Sequence, residues 1–160
     1  MADYSVLLSQ DDFLFHFNNL LLAEGRNATY LFYEVENSPG LTGLFKNDLD
    51  HAEIKLKSFM ESLPPGRHTI TCYISWSPCA DCSNQLVEFL RREKNITLRI
   101  FVSRIYYYYD IENQEGLQSL RDAGMEIKVM HEEEFEHCWK TFVDHQQREF
   151  PGWDDLDDNS

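Results

Sequence analysis

At 160 residues, 42% of them hydrophobic and 14% aromatic, the chain is too apolar to be disordered and long enough to bury one substantial core. It holds no apolar run approaching the ~18 residues that cross a bilayer, which excludes a membrane-spanning helix from its sequence. The formal charge of −14 argues against a partner as anionic as nucleic acid.

In chain order, residues ~10–23 carry Phe13, Phe17, Leu20 and Leu21 at helical spacing ahead of a turn at Gly25. "TYLFYEVE" and "LTGLFKN" read as two strands of a hairpin around "NSPG", whose Asn, Pro and Gly suit a tight reversal. A helix from about His51 to Leu63 stops at Pro64-Pro65-Gly66, and "HTITCYISW" follows as a β-branched, aromatic strand. Next come a helix from about Cys79 to Lys94, the strand "ITLRIFVSR", a helix over about Glu112–Ala123, the short strand "MEIKVM" and a last helix over about Glu132–Asp144. From the third strand on, strands and helices alternate, which favours parallel pairing with helices on both faces. The expected fold is α/β, a three-layer α/β/α sandwich around a mixed sheet of about five strands. It forms one domain over residues 1–160 without linker or repeat, and the acidic tail "GWDDLDDNS" reads as solvated.

The N-terminal "MADYSVLLSQDD" has neither a basic leader nor a small-residue cleavage site, so a cytoplasmic or nuclear location is expected. That setting is reducing, and Cys72, Cys79, Cys82 and Cys138 then read as metal ligands or buried thiols rather than disulfides. Two of them fall in "SWSPCADC", a Pro-Cys-x-x-Cys at a strand-to-helix junction. There the helix dipole favours thiolates on the first turn. A catalytic zinc needs a third protein ligand and an open position, and His51-Ala52-Glu53 begins another helix after a strand. His51 supplies that ligand, while Glu53 is spaced to reach a metal-held water rather than the metal. His-x-Glu followed by Pro-Cys-x-x-Cys matches the zinc-deaminase signature, in which zinc activates a hydroxide that attacks C4 and the glutamate shuttles protons.

Other readings stay open on spacing alone. A structural zinc site would need a fourth, closing ligand, for which Cys72 is the candidate, although a thiol inside an apolar strand is usually a small buried hydrophobe. A Cys79 nucleophile with His51 as base leaves Glu53 and Cys82 without roles. Cys138, between Phe135 and Phe142, reads as core, and His16, His68, His131, His137 and His145 are scattered without ligand spacing.

Over nearly its full length the chain resembles the AID/APOBEC polynucleotide cytidine deaminases. "SWSPCADC", "HAE", "TYLFYEVE", "LRIFVSRIYYYYD", "EGLQSLRDAG" and "FEHCWKTFVDH" stand where that family has similar segments. "FNN" with "GRNATYL", "FVDHQ" and "GWDDLD" is most similar to catalytic domains of the third APOBEC subfamily, with activation-induced deaminase a near second. The resemblance implies a cytidine-deaminase-like fold, a Zn2+ cofactor held by His51, Cys79 and Cys82, and Glu53 as proton shuttle. It implies deamination of cytosine to uracil in single-stranded DNA, with RNA as a candidate ligand, and hence DNA editing and antiviral defence. It further implies Trp76 and Tyr106 as walls for a flipped base, Asn47 and Thr29 at its sugar and edge, and Ser77 near the departing amino group. Arg26 and Arg104 support the backbone or pocket, and Tyr107 and Tyr108 line the groove for the preceding base. No membrane partner is expected, and a monomer is favoured.

The resemblance has departures. Many relatives have a cysteine where this chain has Phe32. Family members continue past "GWDDLD" with a further amphipathic helix, which is expected to be absent here, and most are neutral or basic where this chain has 28 acidic and 14 basic residues. Both features suit an engineered, solubility-selected or divergent variant. The competing functions are a deaminase of free nucleosides and an idle, zinc-stabilised interaction domain.

Overall fold

A computed structural model of the chain describes residues 7–17, 29–36, 41–46, 51–103 and 111–151. Its strands follow the β-branched and aromatic segments. β1 (Tyr30–Val35) and β2 (Thr42–Lys46) pair antiparallel with Phe32 opposite Leu44, and β1 pairs antiparallel with β3 (His68–Ile74) with Leu31 opposite Ile74. β3 then runs parallel to β4 (Ile96–Val102), and β4 parallel to β5 (Glu126–Val129), giving a five-stranded mixed sheet of order β2-β1-β3-β4-β5. The hairpin followed by parallel crossovers is the expected topology, and the reversal at residues 37–40 lies outside the described residues.

Side chains alternate across the sheet. One face turns Leu31, Tyr33, Val35, Ile70, Cys72, Ile74, Leu98, Ile100 and Val102 against helices α2 (Ala52–Glu61), α3 (Ala80–Arg92) and α4 (Ile111–Asp122). Leu56 and Met60 of α2, Leu86 and Phe89 of α3 and Leu120 of α4 complete that layer. The opposite face turns Tyr30, Phe32 and Tyr73 against α1 (Gln10–His16) and α5 (Glu132–Phe142). Phe32 is stacked between Phe17, at 5.0 Å and 7°, and Phe142, at 4.5 Å and 3°. Helices on both faces make the expected three layers. Cys138 is fully buried there, as its apolar neighbours imply.

Most helices start and stop within two or three residues of expectation. The first is shorter: α1 ends at His16, where Phe17 leaves helical geometry and its carbonyl accepts the Ser103 hydroxyl. The remainder of that expected helix, with Leu20, Leu21 and Gly25, lies outside the described residues. His51 and Cys79 are N-cap residues rather than first helical residues, both in extended backbone. Among the described residues no helix is long and apolar enough to cross a membrane.

Candidate metal centre

Two chain reversals build the site. β2 runs toward α2 and β3 toward α3, so both helices present their N-termini at the same edge of the sheet. The Lys55 ammonium donates to the Lys46 carbonyl at 2.7 Å, tying the first turn of α2 to the end of β2. Within that edge Nδ1 of His51 and the Sγ atoms of Cys79 and Cys82 all lie within 4.8 Å of one another. Nδ1 is 3.1 Å from Cys82 Sγ and 3.7 Å from Cys79 Sγ. Tetrahedral zinc, with Zn–S of about 2.3 Å and Zn–N of about 2.0 Å, sets its N and S ligands about 3.5 Å apart, so the three atoms fit such an ion. Three protein ligands leave one tetrahedral position open. Cys72, the candidate closing ligand, is not part of this group; it is fully buried in the β3 core, and burial pushes its thiol up. Among the described residues the closed structural site thus has no fourth ligand.

Glu53 is the group that departs from ordinary packing. It is 4% exposed, and its Oε1 has no hydrogen-bond partner among the described residues. A buried, unsatisfied carboxylate oxygen costs free energy unless a ligand or water completes it. Burial raises the Glu53 carboxyl above its ordinary value, with the Cys79 charge adding to the effect and the His51 charge and a Cys82 hydrogen bond opposing it. A carboxyl raised in this way holds a proton more readily than an exposed one, as a group that takes up and gives back protons requires.

The two thiols are coupled to each other. A hydrogen bond from Cys82 is the largest cause that lowers the Cys79 thiol, to about 5, against burial and with help from the Cys82 backbone amide and His51. Cys82 is raised by that same hydrogen bond to Cys79, by burial and by the Glu53 charge. A bound divalent cation would deprotonate both thiols.

Near the metal group, Tyr30 and Ser75 bind each other twice: Tyr30 N–H donates to Ser75 Oγ and Ser75 N–H donates to the Tyr30 carbonyl, each at 3.0 Å. This pair extends the β1–β3 register and brings Thr29 and Trp76, the next residues outward, to the same end of the sheet. Trp76 is half-buried, and Ser77, at 3% exposure, leads into Pro78 and Cys79. Lys46 stands over the Tyr30 ring at 5.5 Å, a cation at that same end. The structure therefore brings Thr29, Trp76 and Ser77 to the strand end that feeds α3, whereas Arg26, Asn47, Arg104, Tyr106, Tyr107 and Tyr108 lie outside the described residues. Sequence reasoning missed Ser75 and Asn113. Asn113 had a detectable signal, because with Gly116, Leu117 and Leu120 it falls on the inward stripe of an amphipathic helix, where a polar residue is unexpected.

Comparison with known proteins agrees with this geometry. Residues 6–160 match the family model described as "APOBEC3, cytosine deaminase domain". The chain is 40% identical over 157 residues to the Felis catus "DNA dC->dU-editing enzyme APOBEC-3Ca", an alignment covering 89% of this chain and 82% of that protein. It is 37% identical over 170 residues to the Erythrocebus patas "DNA dC->dU-editing enzyme APOBEC-3G" and 42% identical over 160 residues to the Mus musculus "DNA dC->dU-editing enzyme APOBEC-3". Each of these alignments covers 92% of this chain but only 43% and 36% of the respective relative, so the chain spans less than half of those two proteins.

Proposed function

Because this chain belongs to the APOBEC3 family of cytosine deaminase domains, we propose that it hydrolyses cytosine to uracil in single-stranded DNA, with zinc held by His51, Cys79 and Cys82. One nitrogen and two thiolate ligands suit a borderline-soft ion, and the relatives' names as DNA dC->dU-editing enzymes support the substrate class. The single observation that carries the reading is the orphaned, buried Glu53 oxygen beside the ligand group. A structural zinc site has no use for a desolvated carboxylate, whereas hydrolysis at a pyrimidine carbon does.

Zinc bound there supplies a Lewis acid that brings the pKa of water toward neutrality. The chain's own residues do the rest. Glu53 takes one proton of the attacking water and passes it to the pyrimidine ring nitrogen as C4 becomes tetrahedral, then takes the remaining proton from the new C4 hydroxyl and delivers it to the amino group as the C4–N bond breaks and the C4 oxygen becomes the carbonyl. Cytosine and water thus give uracil and ammonia, with Glu53 returned to its starting state. Trp76, with Tyr106, offers a stacking face to the splayed base, while Thr29, Asn47 and Ser77 offer hydroxyl and amide groups to its sugar and edge. Arg26 and Arg104 support the backbone of the strand or the pocket wall, and Tyr107 and Tyr108 take the preceding base.

The test is uracil formation by the purified, zinc-loaded protein on four substrates: a single-stranded oligodeoxynucleotide with one cytosine, its duplex, the matching RNA and free cytidine. The reading expects turnover on the single-stranded DNA. Turnover on cytidine alone identifies a nucleoside deaminase, and turnover on none identifies an idle zinc-stabilised domain.

A further inference from the structure

The turn that carries two of the three ligands has a backbone requirement that its own side chains do not meet. Cys79 is the N-cap of α3, the position from which Ser, Thr, Asp or Asn normally accepts a first-turn amide. Here the residue in that position is a thiol whose Sγ is turned toward His51 Nδ1, at 3.7 Å. An N-cap side chain reaches the second or third amide of a helix and not the first, so the Ala80 amide needs an acceptor from elsewhere. The amide of Ala80, the first helical residue, is satisfied from another helix: Oδ1 of Asn113 accepts it at 2.8 Å.

Asn113 is 7% exposed in the first turn of α4, and one turn later Gly116 faces the same helix start. A Cβ at Gly116 would lie 3.1 Å from both Cβ and Oγ of Ser83 and 3.2 Å from Cα of Ala80. Helix α4 therefore passes the first turn of α3 about as closely as a bare backbone allows. Ser83, the residue after Cys82, is fully buried at this contact. In sequence α4 begins at Ile111, shortly after Tyr106, Tyr107 and Tyr108, which are proposed for the substrate.

We propose that Asn113 is a positioning residue of the metal centre: from α4 it accepts the first amide of α3, between the two ligands Cys79 and Cys82, and so fixes their spacing. The proposal rests on the reading of His51, Cys79 and Cys82 as a zinc site. Gly116 serves the same end by letting α4 close on Ala80 and Ser83. With the acceptor gone, the Ala80 amide is left without a partner and the first turn frays toward other bonds, which separates the two thiolates.

The test is zinc affinity of the full chain, measured by competition with a chromophoric chelator. Asn113→Leu, which keeps the volume and removes the acceptor, is expected to weaken zinc binding about 10- to 100-fold, the range found for groups that orient metal ligands. Asn113→Asp keeps the acceptor and is expected to stay within about threefold of wild type. Leu120→Ala, a buried position farther along the same helix, should lower the melting temperature while the folded protein binds zinc within about twofold of wild type. An Asn113→Leu affinity within about twofold of wild type, or an equal loss in Leu120→Ala, overturns the proposal. Amide exchange in the wild type decides the case without any variant. The Ala80 amide should exchange slowly in both metal-free and zinc-loaded protein, and exchange at the rate of an open amide in either form overturns the cap. A wild type that binds no zinc overturns the zinc reading instead, and the exchange measurement then judges the Asn113 cap by itself.

Discussion

His51 Nδ1 and Cys82 Sγ lie 3.1 Å apart although 31 residues separate them in the chain. The contact exists because α2 and α3 both start at the end of the sheet where β2 and β3 finish, which gathers His51, Cys79 and Cys82 into one group. In that group the Cys79 thiol is lowered to about 5, first by the Cys82 hydrogen bond, and it is less buried than the other three cysteines, whereas burial raises Cys72 and Cys138. After chelation at pH 7, iodoacetamide should alkylate Cys79 ahead of the other three cysteines, as read by peptide mass spectrometry, and zinc should protect it. Equal labelling of all four, or labelling unaffected by zinc, contradicts this.

A second prediction concerns the far side of the sheet. His137 Nε2 donates to Glu34 at 3.0 and 3.2 Å, and the Tyr73 hydroxyl donates to Glu34 Oε1 at 3.1 Å, joining α5 to β1 and β3. Burial opposes the Glu34 anion, but the His137 hydrogen bond and charge and the Tyr73 bond outweigh it, so its pKa falls below the ordinary 4.5. The Glu34 hydrogen bond is the first cause that raises His137 above 6.5, with burial opposing. The Glu34 contribution is present above pH 4.5 and lost as pH falls through its lowered folded value; the His137 contribution is present below pH 6.5 and lost as pH rises through its raised folded value. Comparing urea midpoints, His137→Ala should therefore be most destabilised between about pH 4.5 and 6.5 and less so at pH 8.5. The imidazole is 44% exposed, so the effect should stay below about 1 kcal/mol. A difference that grows toward pH 8.5 contradicts the assignment.

Phe32 tests the second core layer. It is fully buried between Phe17 and Phe142, and Phe32→Ala should cost about 3–5 kcal/mol in denaturant unfolding with one zinc still bound per chain. Loss of zinc at native pH without loss of stability would mean that the two sheet faces are coupled in a way this packing does not provide.

Charge sets the expected mode of DNA binding. With 28 acidic and 14 basic residues, and Lys46 and Lys55 the cations described at the site's end of the sheet, few phosphates should be neutralised. Affinity for a short cytosine oligonucleotide should be weaker than about 10 µM, with a slope of log K against log salt of about −1 to −2, carried mainly by stacking of bases on aromatic rings. Fluorescence anisotropy between low and physiological salt measures both. Submicromolar binding with a steep slope would reveal a continuous basic track.

The chemistry was legible in the sequence because it is local. His-x-Glu and Pro-Cys-x-x-Cys each sit at a strand-to-helix junction, and alternation of strands and helices was enough to bring the two junctions together. Phe13 and Phe17 were legible as core from helical spacing, and both are fully buried. The Asn113 cap was not legible as a contact. An Asn near a helix start reads as a cap for its own helix, and only the close α3–α4 packing at Gly116 assigns its oxygen to Ala80. The Glu34–His137 pair was hidden for a similar reason, since 103 residues separate partners that meet only when α5 lies across the sheet. The end of α1 at His16 was missed because apolar spacing continues past the point where Phe17 turns its carbonyl to Ser103.

The central claim is that Glu53 moves protons at a metal it does not bind, and the measurement that tests it most directly pairs zinc content with uracil formation in wild type and Glu53→Gln. Wild type should hold about one zinc per chain and convert a single cytosine in a single-stranded oligonucleotide. Glu53→Gln, whose amide keeps the shape of the orphaned side chain but cannot take up a proton, should hold the same zinc and lose at least the ~10²–10⁴ in turnover typical of a general acid–base group. Equal turnover in the two proteins, or loss of zinc with loss of Glu53, would contradict the account.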